Sequence, residues 1–278
     1  MRAVEMTELL HRELTGKIIG AYYDVYNELS HNYPEFIYEN AMLVDLQRRG
    51  ISCTHQKEYQ ITYKNRLIGV QRLDVLVADQ VVVELKVKPC LTPLDKAQSI
   101  SYVKTAGCQV GLLFNFGNKK PEFERLYYEH GSRKPDFPTE KEIRSDLQYP
   151  EITCQIIGSL FEVHSVLGPG FIHRIYSRAC SWELTSRGLD LRPIKQIAVF
   201  YRGRPVGEIN LFHLLIEDKV MLFPVATKEM AQIRHENLRC WMQHQGIKLG
   251  ILANFHALQM KPEFMKEGTL TEHFPMRD

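Results

Sequence analysis

The chain has 278 residues, of which 44% are hydrophobic, 24% charged and 10% aromatic, a balance that excludes wholesale disorder and fibrous repeats. Lys and Arg number 35 against 33 Asp and Glu, and the resulting charge of +2 divides evenly between the halves, so no global basic field advertises a nucleic-acid partner. No run approaches the roughly 18 apolar residues of a membrane span, and the opening MRAVEMTELLHRELTG is too broken by charge for a secretory signal, so a cytoplasmic protein without membrane contact is expected.

Ile18, Ile19, Tyr22, Val25, Tyr26 and Leu29 recur at helical spacing, and a second helix is expected over about 35–49, ending at Gly50. Strand-like runs follow at 59–63, 66–78 and 81–87, with a tight turn at Asp79-Gln80. After Thr92-Pro93-Leu94 the pattern predicts a helix over about 95–106, a buried strand at 110–116 and a short helix near 121–128. The order α, α, β, β, β, α, β, α defines a mixed α/β layered domain.

The second half then repeats the first. Ile18-Ile19-Gly20 returns as Ile156-Ile157-Gly158, Tyr38 as Tyr176, Gly50 as Gly188, Tyr63 as Tyr201 and Gly69 as Gly207, at a constant offset of 138; beyond Gly69 the offset is 139, with Gly107 matched by Gly246 and Asn115-Phe116 by Asn254-Phe255. A period this long means two copies of one globular domain rather than a solenoid. The polar, proline-containing segment 129–150 suits a connection, so the expected division is a domain at 7–128, a linker at 129–148 and a domain at 149–278. The six cysteines show no CxxC pair and no zinc-like spacing, and are expected to be reduced.

The run Val81-Val82-Val83-Glu84-Leu85-Lys86-Val87 carries the most chemistry. On a strand, Val83, Leu85 and Val87 can enter the core while Glu84 and Lys86 project together from the other side. Asp74 lies on the strand that the turn folds back against this one, and Glu35 and Glu39 are i, i+4 neighbours on the second helix. Such a set can hold a hard divalent cation, with Lys86 orienting a water or steadying developing phosphorane charge. Taken alone, a Glu-x-Lys pair is more often a solvated face with a weak ion pair.

Many ordered motifs in one register add to that pair: Thr15-Gly16-Lys17-Ile18-Ile19-Gly20, Pro34-Glu35-Phe36-Ile37-Tyr38-Glu39, Arg72-Leu73-Asp74-Val75-Leu76-Val77, Val83-Glu84-Leu85-Lys86, Leu91-Thr92-Pro93, Gln98 with Tyr102, and Gly111-Leu112-Leu113-Phe114-Asn115-Phe116. With these, residues 15–128 resemble the GxxExxY family, a branch of the PD-(D/E)-x-K nuclease superfamily; Asn32 stands where the name-giving glycine is expected. The resemblance implies two tandem restriction-endonuclease-like domains, each a central mixed β-sheet flanked by helices. It further implies Asp74 and Glu84 as metal ligands, Glu39 or Glu35 as the helix carboxylate, Lys86 as the catalytic lysine, and Gln98 with Tyr102 facing the substrate. The cofactor implied is Mg²⁺, with Mn²⁺ as a substitute, and the partner is nucleic acid, DNA in the first place. For Gln98 and Tyr102, packing of the helix on the sheet is an equal alternative.

The second copy keeps Leu167-Gly168-Pro169-Gly170-Phe171, Tyr176 and Gly250-Ile251-Leu252-Ala253-Asn254-Phe255 but not the chemistry. His173 replaces Glu35, Ser177 replaces Glu39 and Asn237 replaces Gln98; the metal positions fall on Phe212 or His213 and on Phe223, with Val225 in place of Lys86. His173, His213, His235 and His244 lack a tight spacing motif and are read as surface or core histidines. The expectation is a metal-dependent nuclease with one working copy and a second that packs as an intrachain pseudo-dimer, positions substrate or binds a partner. Lys96, Lys104, Lys119, Lys120 and Arg125 are the cations that could gather against a backbone. The competing reading is a non-catalytic nucleic-acid-binding or protein-interaction module that keeps the fold, and homo-oligomerisation is left open.

Overall fold

In a computed structural model that describes residues 10–31, 33–129, 148–266 and 272–273, the apolar spacing of the first helix is realised as α1 (Arg12–Leu29), which buries Ile18, Tyr22, Val25 and Tyr26. Helix α2 (Glu35–Arg48) follows, burying Tyr38, Met42 and Leu46. Asn32 and most of the expected linker lie outside the described residues. The chain divides into two compact units, one comprising residues 1–62 and 69–132, the other 63–68 and 133–278.

The first unit is built on a five-stranded sheet of order β1-β4-β5-β6-β7, from Cys53–His55 (β1), Val75–Val77 (β4), Val81–Lys86 (β5), Val110–Asn115 (β6) and Glu122–Tyr127 (β7). The β5–β6 pair is parallel and the other pairs are antiparallel. Helix α3 (Pro93–Thr105) makes the parallel crossover; Thr92 caps it in a reciprocal capping box with Asp95, which starts the helix two residues before the expected position. Strands β2 (Glu58–Tyr63) and β3 (Arg66–Arg72) pair separately.

Alternation along β5 and β6 sorts the two faces. Val81, Val83 and Leu85, with Val110, Leu112 and Phe114, enter the core against α1 and α2, and Val87 packs at its edge. Glu84 points the other way, yet it is only 3% exposed, unlike the carboxylate of a solvated surface pair. Tyr22 stacks on Phe114 at 4.4 Å and Tyr38 on Phe116 at 4.3 Å, so aromatic pairs lock the two opening helices to β6.

Three expectations need correction. The expected short helix at 121–128 is strand β7, paired with β6 over its whole length. Pro121 resembles a helix start, but the exposed edge of β6 offers a complete ladder and Phe123 packs into the core on that pairing. The expected single strand over 66–78 breaks at Leu73-Asp74, and the tight turn centres one residue earlier, on Ala78 and Asp79, both at positive φ, with Gln80 N–H donating to the Val77 carbonyl. The short strand β1 was not expected, because three residues give too little alternation to read.

The second unit repeats the plan with α4 (Pro150–Leu167), α5 (His173–Ser186), β8 (Leu191–Tyr201), β9 (Arg204–Ile216), β10 (Val220–Val225), α6 (His235–His244), β11 (Leu249–Asn254), β12 (Glu263–Lys266) and β13 (Glu272–His273). Its sheet runs β13-β12-β11-β10-β9-β8, again with one parallel pair, β10–β11. Strand β12 stands where a helix equivalent to 121–128 was expected. All six residues of β10 are buried. Tyr63, the last residue of β2, clusters with this unit and donates to Glu183 at 2.8 Å, and Glu183 also accepts from Lys64 and Arg187.

The same local devices recur in both units. Tyr38 donates to the Ser30 carbonyl at 2.8 Å, and Tyr176 donates to that of Gly168 at 2.6 Å. The Asn115 carboxamide oxygen accepts the N–H groups of Lys88 and Gly117, as that of Asn254 accepts those of Thr227 and His256. Among the described residues no helix is long and apolar enough to cross a membrane, and all six cysteines are free thiols.

Candidate functional site

Three carboxylates are brought together from two elements. Glu35 opens α2 and Glu39 follows one turn later on the same face. Asp74 sits in the break between β3 and β4, where its carbonyl accepts the Gln56 N–H at 3.0 Å. One carboxylate oxygen from each of Glu35, Glu39 and Asp74 lies within 4.8 Å of the other two. Glu39 is buried and the other two are half-buried, so the cluster is partly desolvated yet reachable.

Glu84 and Lys86 adjoin this cluster from β5. The Lys86 ammonium donates to Glu84 Oε1 at 2.5 Å, while no donor reaches the buried Oε2. Burial, and then the charge of Asp74, push the Glu84 carboxyl well above the usual carboxylate range, against the pull of Lys86. Burial also raises Asp74, although the Leu85 N–H at 3.1 Å and the Lys86 charge work to lower it. For Lys86, burial favours the neutral amine, but Glu84, Asp74 and Glu35 outweigh it and hold the ammonium charged.

Gln98 and Tyr102, one turn apart on α3, meet in a 2.7 Å bond from the carboxamide to the phenol oxygen. Burial raises the Tyr102 hydroxyl, and Glu84 is the next cause, so this tyrosine faces the acidic group. Glu35, Glu39 and Asp74 form the three-carboxylate cluster, Glu84 is held by Lys86 beside it, and Gln98 and Tyr102 are joined to each other on α3.

His55 was missed. Its Nε2 lies 2.9 Å from Glu39 Oε2, because β1 pairs His55 with Val75, next to Asp74. No motif spacing announces it; only the pairing of a three-residue strand brings it in. Of the five cations named above, Lys96 is ion-paired with Glu124 at 2.7 Å, Arg125 donates to the Leu10 carbonyl and Lys104 lies over the Tyr128 ring; Lys119 and Lys120 are exposed.

A buried carboxylate oxygen without a donor, beside three convergent carboxylates, suits a hard divalent cation, which binds through oxygen ligands. Among the described residues no histidine or cysteine belongs to the cluster, and His55 adjoins it through Glu39.

In the second unit, strand register settles what stands at each of these places. Val75 pairs with Val83 just after Asp74, and Leu214 pairs with Leu222 just after His213, so His213 rather than Phe212 is the equivalent of Asp74. Phe223 then stands for Glu84, Val225 for Lys86 and Trp241 for Tyr102. His173 Nδ1 accepts the Ala226 N–H, and His235 is bound to Glu263. The side chain of His244 lies outside the described residues. Among the described residues the only group of three metal-ligating side chains is Glu35, Glu39 and Asp74.

Residues 12–126 and 150–267 each match the profile of the PD-(D/E)XK nuclease superfamily, and the chain belongs to that superfamily. Comparison with curated proteins and with solved structures gives no match.

Proposed function

We propose that this protein is a cytoplasmic, divalent-cation-dependent nuclease of the GxxExxY branch, hydrolysing phosphodiester bonds of DNA at one site in the first copy. The observation that carries this reading is the convergence of Glu35, Glu39 and Asp74 beside the Glu84–Lys86 pair. Asp74 and Glu84, with Glu39 and Glu35 from α2, would hold Mg²⁺, or Mn²⁺ in its place. The cation supplies charge neutralisation at the scissile phosphate and a water of lowered pKa.

The remaining steps belong to the chain itself. Lys86 stays charged against Glu84 and offers an ammonium to the phosphate as negative charge builds on its oxygens. Tyr102 and Gln98 present a hydroxyl and a carboxamide to the substrate from α3, and their mutual hydrogen bond fixes both rotamers. His55 orients Glu39 through their 2.9 Å contact, which makes it a positioning residue.

In the second copy, replacement of the carboxylates by His173, Ser177, His213 and Phe223, and of the lysine by Val225, supports a role without catalysis. A phenylalanine supplies no ligand to a hard cation. The test is cleavage of labelled single-stranded DNA, duplex DNA and RNA in Mg²⁺, Mn²⁺ or EDTA. Metal-dependent cutting of DNA that disappears in Asp74→Asn supports the reading. Absence of cutting on every substrate, with nucleic acid still bound, would move the assignment to a binding module that keeps the fold.

A further inference from the structure

The second unit contains a pocket of about 850 Å³ at the place where the first unit carries its acidic cluster. One face of α5 lines it with Arg174, Ser177, Arg178 and Trp182, positions spaced by three and four residues. Phe212 and His213 of β9 form another wall. Arg66, the first residue of β3, which clusters with this unit, also lines it and places its guanidinium 3.4 Å from the Trp182 ring centre.

The chemistry is the reverse of the first unit's. No Asp or Glu lines the pocket, while three arginines do, so it favours an anion. Phe212 is 42% exposed and gives flat apolar surface beside those cations, while the Trp182 indole carries the Arg66 guanidinium over its ring. His213 is 8% exposed, and neither of its ring nitrogens has a hydrogen-bond partner among the described residues. Burial, then the nearby His173, pushes its imidazole down to about 4, so at neutral pH it offers one donor and one acceptor to whatever fills the space. A buried imidazole without partners in a roomy site is what a polar ligand would satisfy.

We infer that this pocket binds a nucleotide unit, with the phosphate held by Arg174 and Arg178 and the base placed against Trp182 and Phe212. Arginine meets phosphate in bidentate fashion, and every base has a face that stacks on an aromatic side chain. The unit comes either from a free nucleoside monophosphate or from the end of a strand. The inference does not rest on cleavage by the first copy.

The experiment uses the full chain carrying Lys86→Ala, in EDTA, so that cutting cannot consume the ligand. The sequence holds two tryptophans, Trp182 in the pocket and Trp241 elsewhere in the second unit, so intrinsic fluorescence reports on this unit and calorimetry gives the affinity. AMP, a five-nucleotide oligothymidylate and inorganic phosphate are titrated separately. Expected is saturable binding of AMP or the oligonucleotide with a change in fluorescence, weakened about tenfold or more by Arg174→Glu. Binding of AMP assigns the pocket to free nucleotide; binding of the oligonucleotide alone assigns it to a strand. Arg178 also donates to the Ile68 carbonyl, so the exposed Arg174 is the decisive position, with circular dichroism verifying that the variant is folded. No binding of either nucleotide ligand up to about 5 mM, unchanged affinity in Arg174→Glu, or phosphate binding as tightly as AMP would each overturn the inference.

Discussion

His213 occupies in the second sheet the position that Asp74 occupies in the first, each one residue ahead of the pair that joins its strand to the next, Leu214 with Leu222 and Val75 with Val83. The same backbone place thus carries an acid in one copy and a neutral imidazole in the other. Around Asp74 the partners are carboxylates and a lysine; around His213 they are the rings of Phe223, at 4.7 Å, and Trp241, at 5.4 Å.

This exchange gives the second unit a defined pH response. His213 titrates at about 4 when folded, against its ordinary 6.5, so between those values the unfolded chain binds the extra proton. Stability is therefore fully present above pH 6.5 and is lost as pH falls toward 4, by on the order of 3 kcal/mol from this group. Chemical denaturation followed by tryptophan fluorescence at pH 7.5 and pH 4.5 measures it, and His213→Phe is expected to remove that part of the slope.

In the first unit the clustered carboxylates repel one another, and a bound cation would relieve that repulsion. Mg²⁺ or Mn²⁺ is expected to raise the thermal midpoint, with stabilisation of about 2.7 kcal/mol at a hundredfold excess over Kd. Glu39→Gln and Asp74→Asn each remove one charge from the group within 4.8 Å. Both variants are expected to match or exceed wild-type stability in EDTA and to lose the response to metal, which calorimetric titration of Mn²⁺ tests separately.

The two units bring α3 and α6 onto their sheets through equivalent glycines, but against different neighbours. A Cβ at Gly111 would lie 2.5 Å from a Val103 methyl, and one at Gly250 would lie 2.5 Å from the Met242 sulfur. Valine is stiff at χ1, whereas methionine can swing aside. Gly111→Ala is expected to cost roughly 1–3 kcal/mol and Gly250→Ala less. Gly117→Ala, where the new Cβ would meet Lys88 backbone at 2.2 Å, is expected to be the most destabilising of the three. Thermal unfolding of the three variants orders them.

Much of this was legible in the sequence, because the signals are local or repeated. The helical spacing of Ile18 to Leu29, the alternation of β5 and the matched glycines ahead of each unit's strands sit within windows that periodicity can read. Asp74, Glu84 and Lys86 were legible through their order along the chain and a resemblance, and their proximity follows from one tight turn. What was not legible depends on partners distant in sequence. Strand β7 takes its form from the edge of β6, and His55 reaches Glu39 only through β1 pairing. The ambiguity between Phe212 and His213 needed strand register, because a one-residue insertion leaves no mark in composition.

Lys86, paired with Glu84, is the residue proposed to act in cleavage from the first copy. The most direct measurement is the single-turnover rate of DNA cleavage in Mg²⁺ for Lys86→Ala beside wild type, with metal binding checked by Mn²⁺ titration of the same samples. A rate lower by about 10²-fold or more, with metal binding kept, is expected. Cleavage by Lys86→Ala at the wild-type rate would contradict it.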